Sequence, residues 1–472
     1  MEAAATDRAF RPPAPAPRVL PKNARATPLS YYRYFRIMAR NPLELWTTDH
    51  YAKAVVPGRV FGVQYLLIQD PAMVRHFMVT NADKYGLTYI RKALFKPVLG
   101  NGLLIAEGES WKRTRRALTP AFTARHVQGF AKTMEAVSAA RANMLAARNG
   151  ETVSLSREML TLTLDILIAC LFSGDTRLDV KRFSEDLDRL LVLAGTPHPL
   201  DLMEAPDWMP RFGRGGALKL VASLRAQVTE VLTARRALLR KGGDAPDDFL
   251  TLLIKAEKAE GEPLTDDDII DNLLTFLSAG HETTARSLTW AFYLLSKSPQ
   301  DLEKAINEIA SAPLDQTPPE AWGDVLPFTQ AILKESMRLY PAAPILARLA
   351  LDDDTLGELP IKKGTQIIAS PWLLHRHEQL WHDPNTFDPT RFLGEREKEI
   401  PRFAYVPFGM GPRVCIGASF SMQEMMIVMA TFLKQLRFEH VGKEEPQPIM
   451  RITIQPSTPV EMRILVPEGG SA

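Results

Sequence analysis

A chain of 472 residues, 46% of them hydrophobic, can bury a large core, and its length alone favours two or three domains. Its 57 basic and 55 acidic residues leave a net charge of +2, which argues against a nucleic-acid binder. Two cysteines exclude a disulfide framework and fit a reduced, intracellular setting.

Residues 1–27 are charged and rich in Pro and Ala, with no apolar core of signal-peptide or anchor type. They read as a mobile arm before one unit over residues 28–472. The longest apolar stretch elsewhere, LTLTLDILIACLF, contains Asp165 and is too short to span a bilayer. A soluble protein without a stable membrane anchor is expected. VFGVQYLLI (60–68) reads as a strand, and PAMVRHFMV then starts a helix with Pro71 in its first turn. In GESWKRTRRALTPAF, Trp111 and Arg115 stand one helical turn apart. Taken alone, this is a basic, solvated face with a packed tryptophan.

From 111 to 310 nearly every segment has helical periodicity, with breaks at 197–210 and 242–246. Cys170, inside an apolar helix, reads as simply buried. PLTDDDII opens the longest helix, with Thr265 as N-cap and Asp266, Asp267 and Asp268 complementing the positive end. The pattern continues past Trp290 to Pro299, about 45 Å at the usual rise. AGHETT (279–284) interrupts it with poor helix formers. That is either a local kink or a helix opened where something approaches its backbone.

KESMRLYP carries Glu335 and Arg338 at i,i+3, ordinarily a weak surface ion pair. HRHEQLWHDPNTF holds His375, His377 and His382, but no HExxH pattern or cysteine accompanies them. Short strands return in TQIIAS, RITIQP and VEMRILV. No repeat or internal linker is visible. The expectation is a mainly α protein with small β-sheets, one compact unit despite its length.

FGMGPRVCIG (408–417) places Cys415 just before a segment whose apolar spacing is helical, where N–H groups and the helix dipole favour a thiolate. Gly409, Gly411 and Gly417 suit tight turning, and Arg413 offers a cation. A zinc site would need further Cys or His nearby, a papain-like nucleophile its own signature, and mere burial explains neither the glycines nor the arginine. Thiolate ligation of a heme iron explains both.

FGMGPRVCIG resembles the heme-binding loop of the cytochrome P-450 monooxygenases, Phe-x-x-Gly-x-Arg-x-Cys-x-Gly, at every specified position. KESMRLYP and FDPTRF resemble that family's Glu-x-x-Arg and Pro-x-Arg-Phe, and AGHETT its oxygen-activation motif. The resemblance implies one triangular-prism-like domain holding heme b between the long central helix and the cysteine-bearing helix. It makes the Cys415 thiolate the axial ligand, with Phe408 shielding the sulfur. It also directs Arg413, Trp111, Arg115 and Arg348 at the propionates, with His375 a further candidate. Glu335, Arg338 and Arg391 would form a structural network that holds the loop.

By the same resemblance, Ala279 and Gly280 leave room for O2 and substrate, while Glu282 and Thr283 deliver protons. This pair favours monooxygenation of a C–H or C=C bond. A peroxide-driven peroxygenase or isomerase, or a non-catalytic heme-binding protein, remain as alternatives. Leu87, Phe95, Ile345 and Ser457, in the variable loops, are expected against a hydrophobic substrate, with a lean toward a fatty-acid-like chain. No flavin or iron–sulfur domain is visible before residue 472. Electrons are therefore expected from a ferredoxin or flavodoxin with an NAD(P)H reductase, drawn by Lys112, Arg113 and Arg116. A cytoplasmic monomer is expected.

Overall fold

The computed structural model describes residues 10–19, 30–60, 63–175, 177–194, 198–205, 208–209, 215–255 and 264–467. The expected break at 197–210 lies partly outside these residues, as do 1–9 and 20–27 of the N-terminal arm. Residues 10–19 are docked, contrary to the expected mobile arm. Phe10 packs edge-on against Tyr293, and its carbonyl accepts the Phe387 N–H. The Pro13 carbonyl accepts the Tyr340 hydroxyl at 2.8 Å. Apolar and hydrogen-bonding anchors within a Pro-rich segment outweigh its disorder-like composition.

Helices dominate. The longest, Asp266–Ser296, is capped as its sequence predicts: the Thr265 hydroxyl accepts from the Asp268 N–H at 3.1 Å, and the Asp268 carboxylate accepts from the Thr265 N–H at 3.0 Å. Its 31 residues span about 46 Å. Helices Leu155–Phe172 and Pro327–Leu339 pack along it, and the cysteine-bearing side of the molecule contributes helix Ala418–Gln435. One apolar cluster runs from Leu43 to Ile464 through this helical body.

The helix is not opened at 279–284 but continues through the segment. Thr283 and Thr284 turn their hydroxyls back onto the Ala279 and Gly280 carbonyls, at 2.7 and 2.9 Å. Hydroxyls satisfied inside the helix do not have to break it. Gly280 has a packing role as well: a Cβ there would meet Leu167 Cδ2 at 3.2 Å, so its absence lets helix Leu155–Phe172 approach closely.

The main sheet has five strands. Val55–Val60 at one edge pairs antiparallel with Val63–Ile68, which runs parallel to Gln366–Ala369. Leu346–Ala350 follows, then Tyr85–Gly86. The strand expected over 60–68 is thus mainly the second arm of a hairpin. Its first arm contains Pro57 and Gly58, residues that an edge strand tolerates and a pattern reading discounts. RITIQP is strand only from Ile454; residues 451–453 form a hairpin tip between Pro448–Met450 and Ile454–Pro456. That tip faces the site.

Candidate active site

The loop before helix Ala418–Gln435 is shaped by one strict steric demand. Gly411 sits at φ +73°, and a Cβ there would lie 1.9 Å from the Met78 carbonyl oxygen. A short 3-10 turn, Gly411–Arg413, then leads to Cys415, whose N–H donates to the Phe408 carbonyl at 2.9 Å. Gly417 differs from expectation. Its φ is −89° and no atom lies within 4 Å of a Cβ placed there, so backbone strain does not require it; the space beside it belongs to a cavity.

This cavity, of about 830 Å³, receives the exposed Cys415 sulfur on one wall and Ala279, Gly280, Glu282 and Thr283 on another. Protein surrounds the sulfur on its remaining sides. Burial therefore pushes the thiol pKa up, opposed by the Gly417 N–H and by Arg115. Cys170 is buried in the core, as expected.

Arg91, Arg115, Arg348 and Arg413 line the same cavity, as does Arg451. None forms an ion pair among the described residues. Arg413 donates to the Ala106 carbonyl at 2.8 Å and lies 4.6 Å from the centre of the Trp111 ring. Burial, with repulsion from Arg91 and Arg413, lowers the Arg348 pKa to about 9. Burial, with repulsion from Arg413, lowers that of Arg91 to about 10. Glu107 offsets part of the charge on Arg91 and Arg413, but cations crowded without ion pairs around an interior space favour a bound polyanion. A sulfur on one wall, a cationic rim and an otherwise apolar lining fit heme with its two carboxylates. Arg91 was not singled out in the sequence, where no motif marks it.

The structure brings Glu335, Arg338 and Arg391 together in the interior. Arg338 grips Glu335 with two parallel hydrogen bonds of 2.6 and 2.7 Å, both residues being fully buried. Arg391 Nε stands 3.5 Å from the same carboxylate, which also accepts the Asp388 N–H at 2.9 Å. Arg338 further donates to the carbonyls of His375, Pro384 and Thr386.

Three expected contacts are not made. His375 does not line the cavity; its Nε2 accepts the Val406 N–H at 2.9 Å, and burial beside Arg338 and Arg376 lowers its pKa to about 3. It is a neutral structural acceptor. Leu87 is 1% exposed and packed away from the cavity, and Ser457 lies outside, accepting from the Gln447 N–H. Phe95 and Ile345 do line it, with Trp111 and Phe408. The hairpin tip contributes Arg451, Ile452 and Thr453 where Ser457 was expected, because the turn falls earlier in the chain than its strand pattern suggested. The N-terminal helix Tyr31–Arg40 adds Phe35 and Met38.

A family model described as Cytochrome P450 matches residues 53–463. The chain is 30% identical over 424 residues to the cyclooctatin synthase of Streptomyces melanosporofaciens, covering 89% of this chain and 91% of that protein. It is 32% identical over 397 residues to human cytochrome P450 4F2, covering 78% and 74%. It is also 31% identical over 400 residues to the chloroplastic protein LUTEIN DEFICIENT 5 of Arabidopsis thaliana, covering 79% of this chain and 65% of that protein. Among solved structures, the heme domain of cytochrome P450DA is similar with a TM-score of 0.79 at 26% identity, covering 97% of this chain and 99% of that one.

Proposed function

The chain belongs to the cytochrome P450 family, the heme-thiolate monooxygenases, and from that premise we propose that it inserts one oxygen atom of O2 into a C–H or C=C bond of a long, apolar, fatty-acid-like molecule. One observation carries this reading: the Cys415 sulfur and the Glu282–Thr283 pair line a single, largely apolar cavity.

Cys415 would ligate the iron of heme b, and Arg91, Arg115, Arg348 and Arg413, with Trp111, would hold its carboxylates. When bound, the heme supplies oxygen activation and the oxidising power for attack on the substrate. The chain's own part is to hold substrate, exclude water and move protons. Thr283 Oγ1, bonded at rest to the Ala279 carbonyl, can rotate to hold a water in the cavity. The Glu282 carboxylate, one residue earlier and lining the same cavity, can pass a proton toward that hydroxyl.

Thr283→Ala is therefore expected to keep consuming NAD(P)H while product per electron falls by about 100-fold, the lower end of acid–base contributions. Product from hydrogen peroxide alone, undiminished in this variant, together with none from the reductase system, would sink the monooxygenase mechanism in favour of a peroxygenase.

Substrate breadth follows from the lining. Phe35, Met38, Phe95, Leu171 and Ile345 give the cavity an apolar lining. A panel of fatty acids and terpenes, scored by the shift in heme spin state and then by product, is expected to favour the fatty acids. Turnover of terpenes alone would overturn that choice.

Electrons come, in this reading, from a ferredoxin or flavodoxin with its NAD(P)H reductase. Supporting this, Lys112, Arg113 and Arg116 are exposed on helix Gly108–Leu118, whose Trp111 and Arg115 line the cavity. Among the described residues no helix is long and apolar enough to cross a membrane. A cytoplasmic site of action rests on the two free cysteines.

A further inference from the structure

Glu282 is held from across the chain. Thr453, 3% exposed at the tip of the hairpin formed by Pro448–Met450 and Ile454–Pro456, donates its hydroxyl to Glu282 Oε1 at 3.0 Å, over a separation of 171 residues. Arg286, one helical turn along, stands 3.5 Å from the same oxygen and donates to Gln455 Oε1 at 3.1 Å. Both contacts fall on Oε1, leaving Oε2 without a protein partner among the described residues.

The two strands that carry the tip are themselves anchored. Met450 N–H donates to Asn41 Oδ1 at 3.1 Å, Asn41 Nδ2 to the Pro448 carbonyl at 2.9 Å, and Ile454 N–H to the Ala342 carbonyl at 3.2 Å. Arg451, Ile452 and Thr453 nevertheless form part of the cavity wall.

We infer that Thr453 is a positioning residue for proton delivery. By tethering Oε1 it fixes the rotamer of Glu282 and aims the free Oε2 into the cavity. Because the tether belongs to a substrate-facing turn, a bound substrate that presses on residues 451–453 resets the carboxylate, so proton supply depends on how the substrate sits. This rests on the role proposed above for Glu282. Arg286 alone would not suffice, since its 3.5 Å approach is loose and its guanidinium is shared with Gln455.

The test uses Thr453→Val, which keeps shape but removes the donor, and Thr453→Ser, which keeps the donor. First, the Glu282 carboxylate stretching band is isolated in the resting holoprotein by subtracting the infrared spectrum of Glu282→Gln. It is expected to move in Thr453→Val and to return in Thr453→Ser. Second, product per electron is expected to fall about tenfold in Thr453→Val, with a larger solvent isotope effect and rescue by serine. A band that stays in place in Thr453→Val, or serine behaving like valine, would overturn the inference. Should Glu282→Gln itself leave product per electron unchanged, the proton role of Glu282 fails instead, and the infrared result alone decides whether Thr453 holds the carboxylate.

Discussion

Cys415→Ala is expected to fold, to bind heme weakly or not at all, and to lose both reductase-driven product and the red-shifted carbon monoxide band of a thiolate-ligated heme. The physical ground is that nothing else on that wall can take the sulfur's place. His375 is committed to the Val406 N–H, and the lining of the cavity holds no histidine and no second cysteine. The loop around the sulfur should survive the change. Its shape comes from Gly411 against the Met78 carbonyl and from the Cys415 N–H bond to Phe408, and neither involves the side chain. Circular dichroism and melting of the variant would therefore stay close to the parent protein freed of heme. A thiolate-type carbon monoxide spectrum in folded Cys415→Ala would refute ligation by this residue.

Glu335→Ala has the second large effect, and it acts on stability. Removing the carboxylate strands the fully buried Arg338 guanidinium, a loss of about 3–5 kcal/mol for a broken buried pair. It also leaves the Asp388 N–H without its acceptor and Arg391 without its partner at 3.5 Å. Residues 375–391 would loosen, and with them the Val406 backbone that His375 holds at the approach to the cysteine loop. The variant is expected to purify without heme and to melt well below the parent. Replacing the whole pair, Glu335→Leu with Arg338→Met, removes the stranded charge but should not restore stability. The His375, Pro384 and Thr386 carbonyls would then face an apolar interior unbonded. A heme-replete, normally melting Glu335→Ala protein would refute the network's structural role. Full recovery in the double variant would show that charge alone mattered there.

What contiguous residues could announce, they did. The Thr265 cap and the apolar helix around Cys170 each depend on neighbours within a few positions, where backbone geometry follows residue type closely, whereas burial turned the Glu335–Arg338 spacing from an ordinary surface pair into an interior one. Tertiary structure decided the rest. Arg91 became a cavity cation because its helix, Tyr89–Leu99, turns it toward Arg348 and Arg413, hundreds of positions away. His375 was withdrawn from the cavity by the Val406 N–H. AGHETT, a run of poor helix formers, stayed helical with helix Leu155–Phe172 packed against it at Gly280. Thr453 met Glu282 through a hairpin whose tip no periodicity marks. Local propensity selects elements and motifs; where a side chain points, and whether its charge or donor finds a partner, is set by close packing among segments that only the folded chain brings together.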